Sequence, residues 1–174
     1  MNGYNLIKKK PVLWLTMVAV LMAMNVVLSS FSIPVPGGHL YLNDIVICTA
    51  AILLDPLGAF IVGGVGAFLA DFFFYPLPMF VSLFTHGFRS VAISLIARTY
   101  GKERYSMVIL ASIVGALIAI VGYTLGKAYV YSTWEYAIMK LPFDTVQSFL
   151  GSAVAVYLWK SKGFSNMVKK ALEK

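Results

Sequence analysis

The chain has 174 residues, of which 60% are hydrophobic and only 12% charged, too few charges to cover a soluble domain of this size. Its 14 Lys+Arg outnumber its 7 Asp+Glu. Most of the basic residues (Lys8, Lys9, Lys10, Arg98, Lys102, Arg104, Lys160, Lys162, Lys169, Lys170 and Lys174) sit in or beside gaps between apolar runs or at the termini. Positive-inside sorting across a bilayer produces that distribution; a nucleic-acid partner would need the charges on one folded face.

Residues 1–10 form a short basic lead. No Asp, Glu, Lys or Arg occurs between Lys10 and Asp44, and roughly 20 apolar residues span a bilayer core, so 11–30 is predicted as the first helix. That run exceeds a signal-peptide core and shows no small-residue cleavage site, which marks it as retained. Ser32 to Gly38 contains Pro34, Pro36, Gly37 and Gly38, cannot continue a helix, and is expected as an external loop lying over the bundle as a lid. Helix two, 41–54, is short for an upright crossing and carries the lone Cys48, which precludes a disulfide framework and reads as a small buried hydrophobe. Asp55-Pro56 turns the chain. Helix three, 57–74, ends at the Tyr75–Pro78 turn, helix four is 79–97, and helix five, 105–129, follows a basic loop. An outer loop through Trp134 and Glu135 ends at Leu141-Pro142, and helix six, 143–159, leads into a basic tail.

The expectation is a single all-α domain over 1–174, an integral membrane bundle of six transmembrane helices with both termini cytoplasmic. This topology puts eleven Lys/Arg inside and only Lys127 and Lys140 outside, leaving Arg89 within the membrane. Small residues recur at spacing four: Ala59, Gly63 and Ala67; Ala111, Gly115 and Ala119; Gly122 and Gly126; Gly151 and Ala155. Such stripes let helices approach closely in lipid. Ala19 and Ala23 on helix one either join this packing or form a flat outward patch for another membrane subunit.

Ionisable groups inside a membrane are costly and persist where they face a partner or a cavity. Counting about 1.5 Å per residue, Asp71 and His86 lie at similar depth in the outer half, and Ser82, His86 and Arg89 share one helix face. Two readings stand: an Asp71–His86 or Asp71–Arg89 tie between helices, or the wall of a polar cavity. Asp144 with Gln147 three residues on reads as a capping box whose side chains also face the outer mouth, and Asn43-Asp44 likewise combines a cap with a site position. Asn25 and Ser29 are spaced for interhelical hydrogen bonds. Tyr123, Tyr129, Tyr131, Trp134 and Tyr136 read as an interfacial aromatic belt, with Trp134, beside Glu135 on the outer loop, also placed to cap an aromatic ligand. No nucleophile elbow, metal-ligand spacing or phosphate loop is present; Gly63-Gly64-Val65-Gly66 is a packing stripe.

With Asn43-Asp44 through Asp55-Pro56-Leu57-Gly58, Gly63-Gly64-Val65-Gly66 with Leu69-Ala70-Asp71, His86-Gly87, Gly122-Tyr123 and Leu141-Pro142-Phe143-Asp144-Thr145-Val146-Gln147, the chain resembles the substrate-binding S components of energy-coupling-factor (ECF) vitamin transporters. It is most like the hydroxymethylpyrimidine/pyridoxine-type subgroup. The family tends to have Gly-Asp at Asn43-Asp44, Lys-Gly at His86-Gly87 and Asn at Asp144. The resemblance implies a multi-pass protein of the prokaryotic plasma membrane that captures a small ring-containing vitamin from outside and topples to release it inward. It also implies partners, a transmembrane coupling subunit and two ATPase subunits, with Ala19 and Ala23 as the patch facing the coupling subunit. Asp71, His86, Asp144 and Gln147, with Asn43 and Asp44, are expected to hydrogen-bond the ligand, and Tyr123 and Trp134 to wall it. No catalysis, metal or cofactor is expected. A stand-alone proton-coupled carrier is the rival reading, though no half-to-half repeat of the kind such carriers show is visible. An intramembrane enzyme or a purely structural assembly protein is the other.

Overall fold

The computed structural model describes residues 10–35, 38–99, 105–164, 166 and 170. Among the described residues the principal elements are six helices and one hairpin. Helix α1 is Pro11–Ser30, and strands β1 (Ser32–Val35) and β2 (Gly38–Tyr41) pair antiparallel. Helix α2 is Asn43–Leu53, α3 Pro56–Phe74, α4 Met79–Arg98, α5 Tyr105–Tyr131 and α6 Trp134–Lys160. Two helices contain a π-turn: Ile61–Val65 in the middle of α3 and Lys127–Tyr131 at the end of α5.

Helices α1, α3, α4 and α5 are each long and apolar enough to cross a membrane. Helix α2 is too short, and nine of its 11 residues are buried; it is the central element, packed against α1, α4 and α6. Helix α6 is long but interrupted by Glu135, Lys140 and Asp144. One end of the bundle carries Lys10, Asp55, Arg98 and Lys160; the hairpin and the 75–78 and 132–133 turns lie at the other. Predicted inner-end charges at Lys8, Lys9, Lys102, Arg104, Lys169 and Lys174 lie outside the described residues, as do Pro36 and Gly37 of the predicted lid.

Local chemistry explains the boundaries. Asp55 caps α3, accepting from the backbone N–H of Leu57 and Gly58, with Pro56 in the first turn, where its missing N–H costs nothing. The same carboxylate accepts from Trp14 Nε1 at 2.5 Å, tying α1 to the start of α3. Three expectations are corrected. The 32–38 segment is largely a β-hairpin, so Tyr41 belongs to a strand and α2 begins two residues later. Asn43 and Asp44 do not cap α2, because Leu42 occupies the cap position without a side-chain bond. Helix α6 starts at Trp134, capped by the Thr133 hydroxyl, and runs through Pro142, so the predicted outer loop is helix and Asp144–Gln147 cannot be a capping box. Proline inside a helix removes one backbone bond and crowds the preceding turn, which made a boundary there look natural.

The solid part of the core lies toward the Arg98 end: Cys48, Ala51 and Ile52 of α2 with Ala59, Ile93, Ala97, Val108, Ala111 and Ala155. In lipid, close approach of helices is itself the source of stability, and the spacing-four residues supply it. A Cβ on Gly151 would stand 2.6 Å from Asp44 Cβ and 3.0 Å from its carbonyl carbon, so the close approach of α6 to α2 at Asp44 needs this glycine. A Cβ on Gly64 would meet Leu83 O at 2.8 Å and Gly87 Cα at 3.0 Å, which fixes the α3–α4 contact. Ala19 and Ala23, by contrast, are exposed on the outer face of α1, among exposed Val12, Leu15, Val20, Met24 and Val27.

Candidate functional site

At the hairpin end the bundle is hollow. A cavity of about 470 Å³ is lined by all six helices and by β2, a size usual for small-molecule sites. Periodicity aims the side chains. Ala119, Tyr123, Lys127 and Tyr131 recur every four residues on α5, and Tyr136, Lys140, Asp144 and Gln147 at spacings of four, four and three on α6; all eight face the cavity. Asp71 enters from the last turns of α3, and Ser82, His86 and Arg89 from α4.

Of the eight sequence-predicted ligand residues, the cavity brings together seven: Asn43, Asp44, Asp71, His86, Tyr123, Asp144 and Gln147. Trp134 is not among them. It is half-exposed at the start of α6, edge-on to Tyr129 at 5.3 Å between ring centroids, because a helical Trp134 lies on a different face from Tyr136 and Lys140. The sequence reading missed Tyr41, Tyr131, Tyr136, Lys127 and Lys140 as cavity residues. The four-residue step from Tyr123 through Lys127 to Tyr131 was the available signal on α5; Tyr136 and Lys140 required α6 to continue through Pro142, and Tyr41 required the hairpin.

Deepest in the cavity, Arg89 is fully buried and is held by four acceptors. Nη1 donates to Asp44 Oδ2 at 2.8 Å, and Nη2 to Cys48 Sγ at 3.0 Å, Ser148 O at 3.4 Å and Ser152 Oγ at 3.5 Å. The charge tie between helices is therefore Arg89–Asp44, joining α4 to α2, and not a tie to Asp71. A buried pair of this kind is justified only by full hydrogen bonding. Higher up, Lys127 pairs with Asp144. Lys140 Nζ donates to His39 O at 2.7 Å, and Tyr41 N donates to Gln147 Oε1 at 2.9 Å, so the hairpin is fastened to α6. Burial, with the Asp71 carboxylate adding to it, pushes the Tyr41 phenol above its usual range. Asn25 donates to Val62 O at 2.7 Å within the α3 π-turn and accepts from Asn43 at 3.1 Å, while Ser29 bonds Asn25 O within its own helix.

Other groups have no protein partner. Asp44 Oδ1, Asn43 Oδ1, Asp71 Oδ2 and His86 Nδ1 are buried, unbonded and on the cavity wall. Buried polar atoms without partners are rare and costly, so a cluster of them round one hollow marks a place for a guest. Tyr123 forms the adjoining aromatic wall, its hydroxyl 2.6 Å from Ser82 Oγ and its ring edge-on to His86 at 5.3 Å. Among the described residues no group of three His, Cys, Asp or Glu gathers as metal ligands.

An all-helical membrane bundle with a polar, aromatic-walled chamber open at one end and apolar faces outside defines a membrane-embedded solute-binding protein. The particular family follows from the sequence: the family model for the ECF-type riboflavin transporter S component matches residues 10–162, nearly the whole chain, and the chain belongs to that family. It is accordingly a multi-pass membrane protein and the vitamin-binding subunit of an ECF importer, acting with a membrane coupling subunit and ATPases, and not an enzyme. No protein of curated function matches the chain closely enough to compare.

Proposed function

We propose that this S component captures a small, ring-containing, hydroxylated vitamin or precursor of the hydroxymethylpyrimidine or pyridoxine type. In this reading the ligand enters at the hairpin end, which faces outward, while the Lys10/Arg98/Lys160 end faces the cytoplasm. All six helices span the membrane and both termini are cytoplasmic, α2 crossing sheltered by its neighbours and α6 through a polar outer half. The observation that carries the proposal is the ring of unpartnered buried polar atoms at Asn43, Asp44, Asp71 and His86 beside the Tyr123 wall. A planar heterocycle bearing several polar substituents satisfies such a ring, as a purely apolar guest would not. Asp71 supplies an acceptor; Asp144 and Gln147, with Lys127, line the mouth. The exposed Ala19/Ala23 strip of α1 docks the coupling subunit, a smooth surface suited to sliding contact between helices.

Riboflavin is the second reading, favoured by the description of the matching family and by a volume ample for a larger ring system. Calorimetric titration of the full chain in detergent with hydroxymethylpyrimidine, pyridoxine and riboflavin tests both. Tight binding of either of the first two, weakened by Asp71→Asn, is expected; tight binding of riboflavin alone would overturn the subgroup assignment.

A further inference from the structure

We infer that the floor of the cavity is a subsite for one neutral hydroxyl of the ligand, held between Asp44 and His86. This rests on the reading of the chamber as a vitamin site and says which end of the ligand goes in first, and in what chemical state. Asp44 and His86 are nearly fully buried, at 1% and 3% exposure. Asp44 Oδ1 and His86 Nδ1 face each other across 3.8 Å, too far for a hydrogen bond, and neither has any other partner. A single oxygen can stand about 2.8 Å from both. A hydroxyl suits this gap because it gives one hydrogen bond and takes another: it donates to the carboxylate oxygen and accepts from the imidazole N–H. The floor thereby fixes the tautomer of His86 with its proton on Nδ1.

The charge state of the floor selects against ions. Asp44 already has its counter-charge in Arg89, whose Nη1 and Nη2 are committed to Asp44, Cys48, Ser148 and Ser152. An ammonium group would bring an uncompensated positive charge to a neutralised pair, and a phosphate ester would meet the Asp44 carboxylate with no free cation beside it. Either ion would lose its hydration without repayment. The opening also admits little beyond an oxygen on a short stem, since the Tyr123 ring stands edge-on to His86 and Gly151 brings α6 directly against Asp44. A hydroxymethyl or ring hydroxyl therefore enters floor-first, leaving the rest of the ring against Tyr123 and Asp71.

The test is a cycle of ligand against protein by titration calorimetry on the full chain. Pyridoxine and hydroxymethylpyrimidine are each compared with the analogue in which methyl replaces hydroxymethyl, and with the phosphate ester of that hydroxymethyl. Expected for the wild type is a roughly 10- to 100-fold loss on deleting the hydroxyl and no measurable binding of the ester. In His86→Phe, which keeps a ring against Tyr123, the hydroxyl and methyl compounds should differ less than about threefold, as its partner is gone. His86→Gln, which retains a donor, should restore part of the discrimination. Equal binding of hydroxyl and methyl compounds by the wild type, an undiminished difference in His86→Phe, or binding of the ester as tight as that of the alcohol would each overturn the inference while leaving the vitamin site standing. Failure of every heterocycle to bind would overturn both. The wild-type comparison decides the matter even where a variant fails to fold.

Discussion

The two ends of the bundle treat buried polar groups in opposite ways. Toward the Arg98 end most are consumed by structure: Asp55 caps α3 and holds Trp14, Ser94 donates to Leu54 O, and the Arg98 Nη groups lodge against the carbonyls of Ala51, Ile52 and Ser94. Toward the hairpin end Asp44, Asn43, Asp71 and His86 keep atoms that nothing in the chain answers. Around the first set the helices close to glycine and alanine contact; beside the second, apart from the Gly151–Asp44 contact of α6 with α2, they leave a cavity of about 470 Å³. The lesson is that in a membrane protein the functional signal is less the presence of a buried charge than the incompleteness of its hydrogen bonding. Arg89 sits on the boundary, both of its Nη groups bonded yet half of its partner Asp44 left open.

Breaking that boundary should have the largest effect. Arg89→Met leaves Asp44 charged and unpaired, and a loss of about 3–5 kcal/mol is expected, read as a lower midpoint of thermal unfolding in detergent; an unchanged midpoint would mean the pair is not the seam between the two regions. Next comes the closest helix contact. Gly151→Val drives a side chain into the backbone of Asp44 and should cost about 1–3 kcal/mol, with folding and ligand affinity falling together because α2 carries both. Asp71→Asn works in the reverse sense. It removes a charge from the hollow end without touching the packing, so the unfolding midpoint should hold within a few degrees while ligand affinity drops roughly tenfold or more. A parallel fall in stability would make Asp71 structural.

How much of this could be read beforehand follows the same division. Helix α1 matched its prediction at both ends because a charge-free run bounded by Lys10-Pro11 and a proline-rich turn leaves little choice of limits. The spacing-four stripes announced the packing, and the depth of Asp71 and His86 announced a polar chamber. The Arg89–Asp44 pair was not legible, since partners 45 positions apart meet only once three helices are placed. Pro142 misled, because the first turns of α6 are anchored at Thr133 and by Lys140 on the hairpin, which outweigh one lost backbone bond. The cap reading of Asn43-Asp44 failed for a related reason. Both side chains are drawn into longer-range bonds, to Asn25 and to Arg89, which a local motif cannot anticipate.

The smallest expected effects sharpen the outline of the site. Trp134→Ala should leave affinity within about twofold, for the ring touches Tyr129 outside the cavity; a loss of tenfold or more would restore it as a wall. Bulky replacements at Ala19 and Ala23, which face outward on α1, should leave binding unchanged and abolish uptake by the assembled transporter. Equal loss of binding and uptake would make those alanines part of the bundle's own packing.

The most direct test of the hollow-end account is native mass spectrometry of the full chain purified from membranes, compared with its Asp71→Asn variant. A retained small molecule of heterocyclic-vitamin mass on the wild type, lost or much reduced on the variant, is the result the account predicts. An unliganded wild type that also takes up none of the candidate heterocycles when they are added would contradict it.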